Sequence, residues 1–417
     1  MSLWRMAWRY LWGRAFVTVL TVTGIVLGAA LIVTVLTLQR ESETGFLSEG
    51  GQYDLVVGAK GSPLQLVLSS IYHLDIPTGN IPYTRFETLT KDARIASAIP
   101  LGLGDNYHGY RIVGTDSNLF SLADRRDPKK PLFKLAEGTF FQNDFEAVVG
   151  AQVARQTGLK IGDSFVGTHG LVVTPGSSEH RAFPYKVVGI LVPSGGSSDN
   201  AIYITLPSVW RIHDKEVETH RQIAGVAPNT ALSTKDLEVT AVLLRLKTVG
   251  LRLMISQEIQ KQTEAMAAIP VNEMLRLYQQ VLRPMQRVLL AVAALVVIVS
   301  ALSITATLYQ AAERRRRDLA VLRALGAHPR EIFILVLLEA LLVTLLGLAI
   351  GWLLGHGGLA LANPYFRDSL GISFLPWTTD RIEVISLGLV AIGGLLAGIL
   401  PAVQAYRREP VNDLSLT

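Results

Sequence analysis

The residue types that could do chemistry are few and far apart. Glu339 is an acidic residue inside the apolar run ILVLLEALLVTLL. An ionised carboxylate deep in a membrane helix costs about 2.5–3.5 kcal/mol on insertion scales, which makes it a functional candidate by default. It also stands within two turns of one end of the run, where an arginine or a proton would satisfy it, and both readings stay open. A proton-coupled carrier would show several such groups across its spans. His73, His108, His169, His180, His213 and His220 lack the i, i+3 or i, i+4 spacing of a local metal site. His169 and His180 could meet across a turn, but scattered surface histidines without a metal are the expectation. There is no cysteine, and neither GxSxG nor HExxH occurs. GxxxxGK[ST] is also missing; Gly58 to Gly61, GAKG, lacks the spacing of a phosphate-binding loop. The expectation is a chain without catalytic residues or a cofactor of its own, in which any ATP-driven work is powered through a partner.

The second candidate is a surface rather than a reagent. In AAERRRRDLAVLRALGAHPR (Ala311 to Arg330), Leu319, Leu322 and Leu325 recur at helical spacing, and Arg314 to Arg317 lie one turn ahead. Gly326 is placed as a C-terminal stop and Pro329 follows it, which predicts a short surface helix ending at Gly326. Such an element could merely fix topology by its charge. It could equally be a docking handle, with the apolar stripe filling a groove in a partner while Arg and Glu on the flanks set register.

The elements that would position these groups are membrane helices. Hydrophobic residues make up 49% of 417, the mean hydropathy is +0.35, and the net charge of +5 is concentrated near apolar runs, so it gives no reason to invoke nucleic acid. Residues 1–14 interleave Arg5, Arg9 and Arg14 with Trp4, Trp8, Tyr10 and Trp12, an interfacial belt. Residues 15–38 carry no charge and reach about 36 Å as a helix, enough to cross the hydrocarbon. Further spans are expected at 285–310, 331–355 and 383–406, with a loop at 356–382 and a tail at 407–417. With both termini inside, every arginine cluster falls on the cytoplasmic side, and residues 39–284 lie outside the cytoplasm. That region reads as a mixed α and β domain with a β-rich submodule at about 130–230. Val239 to Leu246 reads as a strand, and Ile255 to Gln286 as a helical stalk broken or kinked at Pro270 and Pro284. Gly24 and Gly28, Gly347, Gly351 and Gly355, and Gly394 and Gly398 recur at spacing four, forming faces for close helix packing within one subunit or between two.

This layout of one span, a large insert, then three spans with a basic connector resembles the permease subunits of the MacB, LolC/LolE and FtsX superfamily of ABC transporters. The stretch ERRRRDLAVLRALGAHPREIFILVLLEALLVTLLGLAIG (Glu313 to Gly351) looks very like that superfamily's second-to-third-span region. AVVGAQVARQTGLKIGDSF (Ala147 to Phe165) and YKVVGILVPSGGSSDNAIYITL (Tyr185 to Leu206) are similar to segments of its external domains. The resemblance implies four transmembrane helices with a large α+β periplasmic domain between spans 1 and 2, in a bacterial inner membrane. It further implies a non-catalytic subunit working with two copies of a cytoplasmic ATPase, which bind the ATP and magnesium, and with a second permease copy or a paralogue. A periplasmic adaptor or carrier is a further partner of this plan. By carry-over, Glu313, Arg314, Arg317, Asp318, Leu319, Leu322, Arg323, Leu325 and Gly326 would contact the ATPase. Thr18 to Leu38 and Val288 to Ala306 would supply much of a dimer seam. The machine would act on a lipoprotein, peptide or small molecule already in the envelope. An FtsX-like scaffold that activates a periplasmic partner is the alternative. MacB carries a fused ATPase and FtsX has a far smaller insert, so LolC-like or unfused MacB-like subunits are nearer in plan.

Overall fold

The computed structural model describes residues 3–170, 180, 183–212, 237–262, 264–370 and 375–407. His213, His220, the tail 408–417 and the parts of the expected β-rich submodule at 171–179, 181–182 and 213–230 lie outside the described residues. The chain divides into two compact units. One comprises Met1–Ser42, Val281–Pro364 and Phe374–Thr417; the other comprises Glu43–Gln280 and Tyr365–Ser373.

The first unit is helical. A short helix, Leu3–Trp12, precedes a long one, Ala15–Gly50. Ala7 of the short helix is buried with Leu335 and Leu342, while Trp4, Trp8 and Trp12, four residues apart, remain exposed on another face. The second long helix is Arg283–Arg314, the connector helix Arg316–Ala324, the third long helix Pro329–Leu370 and the fourth Arg381–Arg407. All four long helices are apolar and long enough to cross a membrane. Two of them outrun the apolar stretches that announce them. The first continues to Gly50, and the third continues through residues 356–370, expected as loop, because a helix stops where its backbone pairing stops and not where its hydropathy falls.

The glycines explain how these helices approach one another. A Cβ on Gly351 would lie 2.6 Å from the Ala29 Cβ and 2.9 Å from the Val26 carbonyl, and one on Gly347 would lie 2.7 Å from Ile25. The third long helix thus seats its small-residue face on the first. Gly24 and Gly28 face Ser300 and Val297 of the second at 2.5 and 2.8 Å. Gly398 faces the Ala340 Cβ at 2.6 Å, and Gly394 faces Thr344. Lipid offers no hydrophobic gain for helix association, so close backbone approach and dispersion carry it. Every one of these stripes is used within one chain. Phe16, Leu20, Leu27, Leu295, Val299 and Leu302 stay exposed on the first and second long helices.

The second unit is built on strands β1 (Leu55–Ala59), β2 (Ile81–Pro82), β3 (Ile95–Tyr107), β4 (Tyr110–Thr115), β5 (Leu135–Gly138), β6 (Glu146–Val149) and β7 (Ser164–Phe165). It continues with β8 (Thr168–His169), β9 (Tyr185–Leu191), β10 (Ala201–Thr205), β11 (Glu238–Val239), β12 (Ala241–Leu246) and β13 (Ala265–Ala268). The main sheet runs β13-β1-β12-β3-β4-β10-β6-β9-β5, with β7 on β9 and β8 on β3, so the β-rich middle shares one sheet with the flanking segments. Pairing is antiparallel except at β10 with β4 and β6 with β9. The alternating and continuous apolar runs fill the core: Val56, Ile99, Leu101, Val113, Val148 and Leu243 are all buried. β3 and β4 meet at His108 and Gly109, both at positive φ (50° and 87°), a two-residue hairpin turn.

One expectation changes here, and one apolar stretch adds a helix. The apolar stretch after Gly61 is a helix, Pro63–Ser70, with the Ser62 side chain accepting from the Gln65 amide and Pro63 in the first turn. The expected helical stalk is interrupted: after a helix at Arg252–Gln262, residues Ala265–Ala268 form β13, all four buried and paired antiparallel with β1. Alanine favours helix, but an unpaired strand edge and burial on both faces outweigh that propensity. Pro270 then opens a new helix, and a π turn at Tyr278–Leu282 precedes Pro284, which cannot donate to the carbonyl four residues back.

Candidate coupling site

The connector begins where the second long helix breaks. Arg315 leaves helical geometry (φ −98°, ψ 16°), which separates Arg314 from the helix starting at Arg316. Four consecutive arginines across such a break point in different directions, and one of them faces the bundle. That one is Arg315. Its Nη1 donates to Glu339 Oε1 at 2.8 Å, its Nη2 reaches the Tyr10 carbonyl at 3.4 Å, and its guanidinium lies 3.6 Å over the Tyr10 ring. Arg14 lies on the same small cavity, about 30 Å³, as Tyr10, Arg315 and Glu339, and its Nη2 donates to the Ala311 carbonyl at 3.0 Å. Glu339 is 4% exposed. The N-terminal helix, the joint before the connector and the third long helix are therefore tied at one buried ion pair, whose rupture would strand a charge away from water.

The other end of the connector is a Schellman closure. Gly326, at φ +101°, donates to the Arg323 carbonyl at 3.1 Å, and Ala327 donates to the Leu322 carbonyl at 3.0 Å. Between these ends the faces sort clearly. Leu319 packs against the helical core and Ala320 is buried, whereas Leu322 and Arg323 are half-buried. Glu313, Arg314, Arg317 and Asp318 are exposed, and Glu313 pairs with Arg316 at 3.4 Å. Val321 and Leu325, one turn apart, are exposed at 44% and 80%. The apolar pair facing outward is thus Val321 with Leu325, and Leu319 belongs to the bundle, because one helix cannot give the same leucines to both sides.

A second buried pair lies outside the sequence-based candidates. His356 Nε2 lies 2.9 Å from Glu383 Oε1, both almost fully buried, and His356 Nδ1 contacts the Pro376 carbonyl. Trp352 and Trp377 flank the imidazole at 4.8 and 5.9 Å between ring centroids. Glu41 accepts from the Leu375 amide, and Arg40 donates to the Thr378 carbonyl at 2.7 Å, so the 375–380 segment is pinned to the first and third long helices. The signal was available: His356 and Glu383 are ionisable residues at the margins of two apolar runs.

Among the scattered histidines, His73 and His108 occupy left-handed turn positions. His169 and His180 come together beside Asp105.

Comparison with known proteins bears on the whole chain. Residues 18–247, more than half of it, match the family described as MacB-like periplasmic core domain, and residues 290–410 match the FtsX-like permease C-terminal family. The pyoverdine export ATP-binding/permease protein of Pseudomonas syringae pv. tomato is 23% identical over 98% of the chain, and the macrolide export ATP-binding/permease protein MacB of Nitrosomonas europaea is 22% identical over 99%. An uncharacterised ABC transporter permease protein of Mycobacterium tuberculosis is 25% identical over 99%. The chain spans 58% of the length of the first two and 45% of the third. With one family covering the strand-rich residues and the other the three later helices and their connector, the chain belongs to the MacB/FtsX superfamily of ABC transporter permeases.

Proposed function

We propose that this permease transmits the motion of a cytoplasmic ATPase to its sheet domain on the other side of the membrane, and so exports or extracts an envelope substrate. The observation that carries this reading is the two-sided connector. One side is locked to the third span through Arg315 and Glu339, and the other offers Arg314, Arg317, Asp318, Val321 and Leu325 to a partner. A rigid body that docks an ATPase and is fastened to a span moves that span when the ATPase closes. The arginine clusters support cytoplasmic termini and a connector on the cytoplasmic side, with residues 39–284 in the periplasm between spans 1 and 2 of an inner-membrane protein. ATP and magnesium belong to the ATPase, two copies per assembly. The exposed apolar faces of the first and second spans suit a seam with a second permease copy or a paralogue. Related proteins are named for macrolide and pyoverdine export, which favours a small molecule or peptide, with a lipoprotein as the larger alternative. An adaptor or carrier would receive it.

The test is the double substitution Val321→Asp with Leu325→Asp in the affinity-tagged full chain, purified in mild detergent. ATP hydrolysis that co-purifies with the parent should fall at least tenfold, with an unchanged thermal midpoint, since both positions are solvent-exposed. Retention of the ATPase by the double variant would rule out the outward face as its dock.

A further inference from the structure

Asp105, His169 and His180 are distant in sequence and converge through the sheet. Asp105 sits on β3 beside the bulge where the register with β4 shifts between Leu103 and Asp105. β8 pairs with β3 so that His169 stands opposite Asp105 and Thr168 opposite Asn106. The Asn106 side chain donates to the Thr168 and Gly170 carbonyls, and the Gly170 amide donates to the Gly104 carbonyl at 2.9 Å, which clamps the strand carrying His169 from both sides. His180 is held independently: its amide donates to the Gly167 carbonyl at 3.0 Å, and its own carbonyl accepts from Phe183 at 2.9 Å.

The side chains then meet at one oxygen. His169 Nδ1 and His180 Nε2 each lie 3.4 Å from Asp105 Oδ1, with the rings nearly perpendicular (88°) and their centroids 5.8 Å apart. One ligand atom from each residue lies within 4.8 Å of the other two. A tetrahedral ion with bonds of about 2.0–2.1 Å has ligand-to-ligand edges of about 3.3–3.4 Å, so two of the three edges already have the required length. The imidazole–imidazole edge is within 4.8 Å, and the His169 side chain is 47% exposed. Asp105 is 3% exposed, and the buried Tyr185 hydroxyl in its field has no hydrogen-bond partner among the described residues.

We infer that Asp105, His169 and His180 form a binding site for one divalent transition-metal ion, zinc first, with a coordination position open to solvent or to a ligand on the His169 side. Two imidazoles and one carboxylate suit zinc, nickel or copper, whereas calcium and magnesium call for oxygen ligands throughout. A bound ion would join β3, β8 and the approach to β9 at a point where the sheet has no covalent bond.

The experiment uses the full chain, purified in detergent with a histidine-free tag and stripped with a chelator. Cobalt is titrated in as a spectroscopic probe, followed by zinc in competition with a chromophoric chelator. The parent should bind one ion per chain and show the visible bands of low-symmetry four- or five-coordinate cobalt. His169→Ala, at an exposed position, should weaken binding roughly 100-fold or more, as should His180→Ala. His169→Cys should restore binding and add a thiolate-to-cobalt charge-transfer band. Absence of stoichiometric binding by the parent, or equal affinity in the parent and both alanine variants, would overturn the assignment; the latter would place the ion on other histidines.

Discussion

In the helical unit Glu339 meets a guanidinium at 2.8 Å and shares its cavity with a second, Arg14; in the sheet unit Asp105 meets two imidazoles at 3.4 Å. The sheet unit also holds a buried carboxylate of the first kind: Asp54 takes Arg125 at 2.6 Å, Arg252 at 2.8 Å and the Leu246 amide at 2.8 Å. Burial alone would raise the Asp54 pKa, but the hydrogen bonds from Arg125 and Leu246 and both guanidinium charges hold it below the usual range. Guanidinium groups never surrender their charge, so Asp54 and Glu339 are closed sites whose role is to fasten elements together. Imidazole is a cation only when protonated and otherwise a lone-pair donor, so the site around Asp105 can be completed from outside. A permanent ion pair transmits force, whereas the lone pairs of neutral imidazoles are of the kind a metal ion can use.

The comparison breaks most sharply at Arg315. Arg315→Met should leave Glu339 buried without its partner and lower stability by about 3–5 kcal/mol, measured as thermal unfolding of the full chain in detergent. Adding Glu339→Gln should recover most of the loss. If Arg315→Met alone is neutral, the pair is not a fastener and the coupling argument loses its anchor.

A smaller effect is expected from the packing that surrounds the pair. Gly351→Leu drives a side chain into Ala29 and the Val26 carbonyl and should cost about 1–3 kcal/mol in the same assay, whereas Gly388→Leu, with open space around its Cβ, should be nearly silent. Equal effects at both positions would mean that the first and third long helices do not depend on close approach.

A pH effect sharpens the contrast between imidazoles. His73 is half-buried and faces Arg111, and these two causes, burial first, lower its pKa from 6.5 to about 4. Between those values the unfolded chain binds the proton and the folded chain does not, so stability should rise with pH across about 4 to 6.5 and fall as pH drops through that window. His73→Asn, which suits the left-handed backbone there (φ 55°), should flatten that rise in a pH series of thermal midpoints. An unchanged slope would assign the pH dependence to other groups.

Much of this architecture was legible in the residues. Apolar runs with arginines near their ends announced the four long helices, since hydrocarbon tolerates little else, and Gly326 announced the end of the connector, since a left-handed residue there is cheapest as glycine. Glu339 was conspicuous for the same reason a charge in oil is conspicuous. Its partner was hidden in a run of four arginines that differ only in the direction each faces on a helix. β12 was legible from its β-branched and leucine-rich run, but β13 was not: Ala265 to Ala268 has no strand signature, and only the free edge of β1 makes it one.

Local periodicity and transfer free energy therefore fix the apolar helices, the basic connector with its stop, and the mixed character of the large domain. Tertiary structure alone decided which of the connector's leucines face outward, which arginine turns in to Glu339, and that Asp105, His169 and His180 share one oxygen. Those outcomes rest on strand register and helix rotation, where a shift of one residue sends a side chain to the opposite face, and neither quantity is written in any single window of residues.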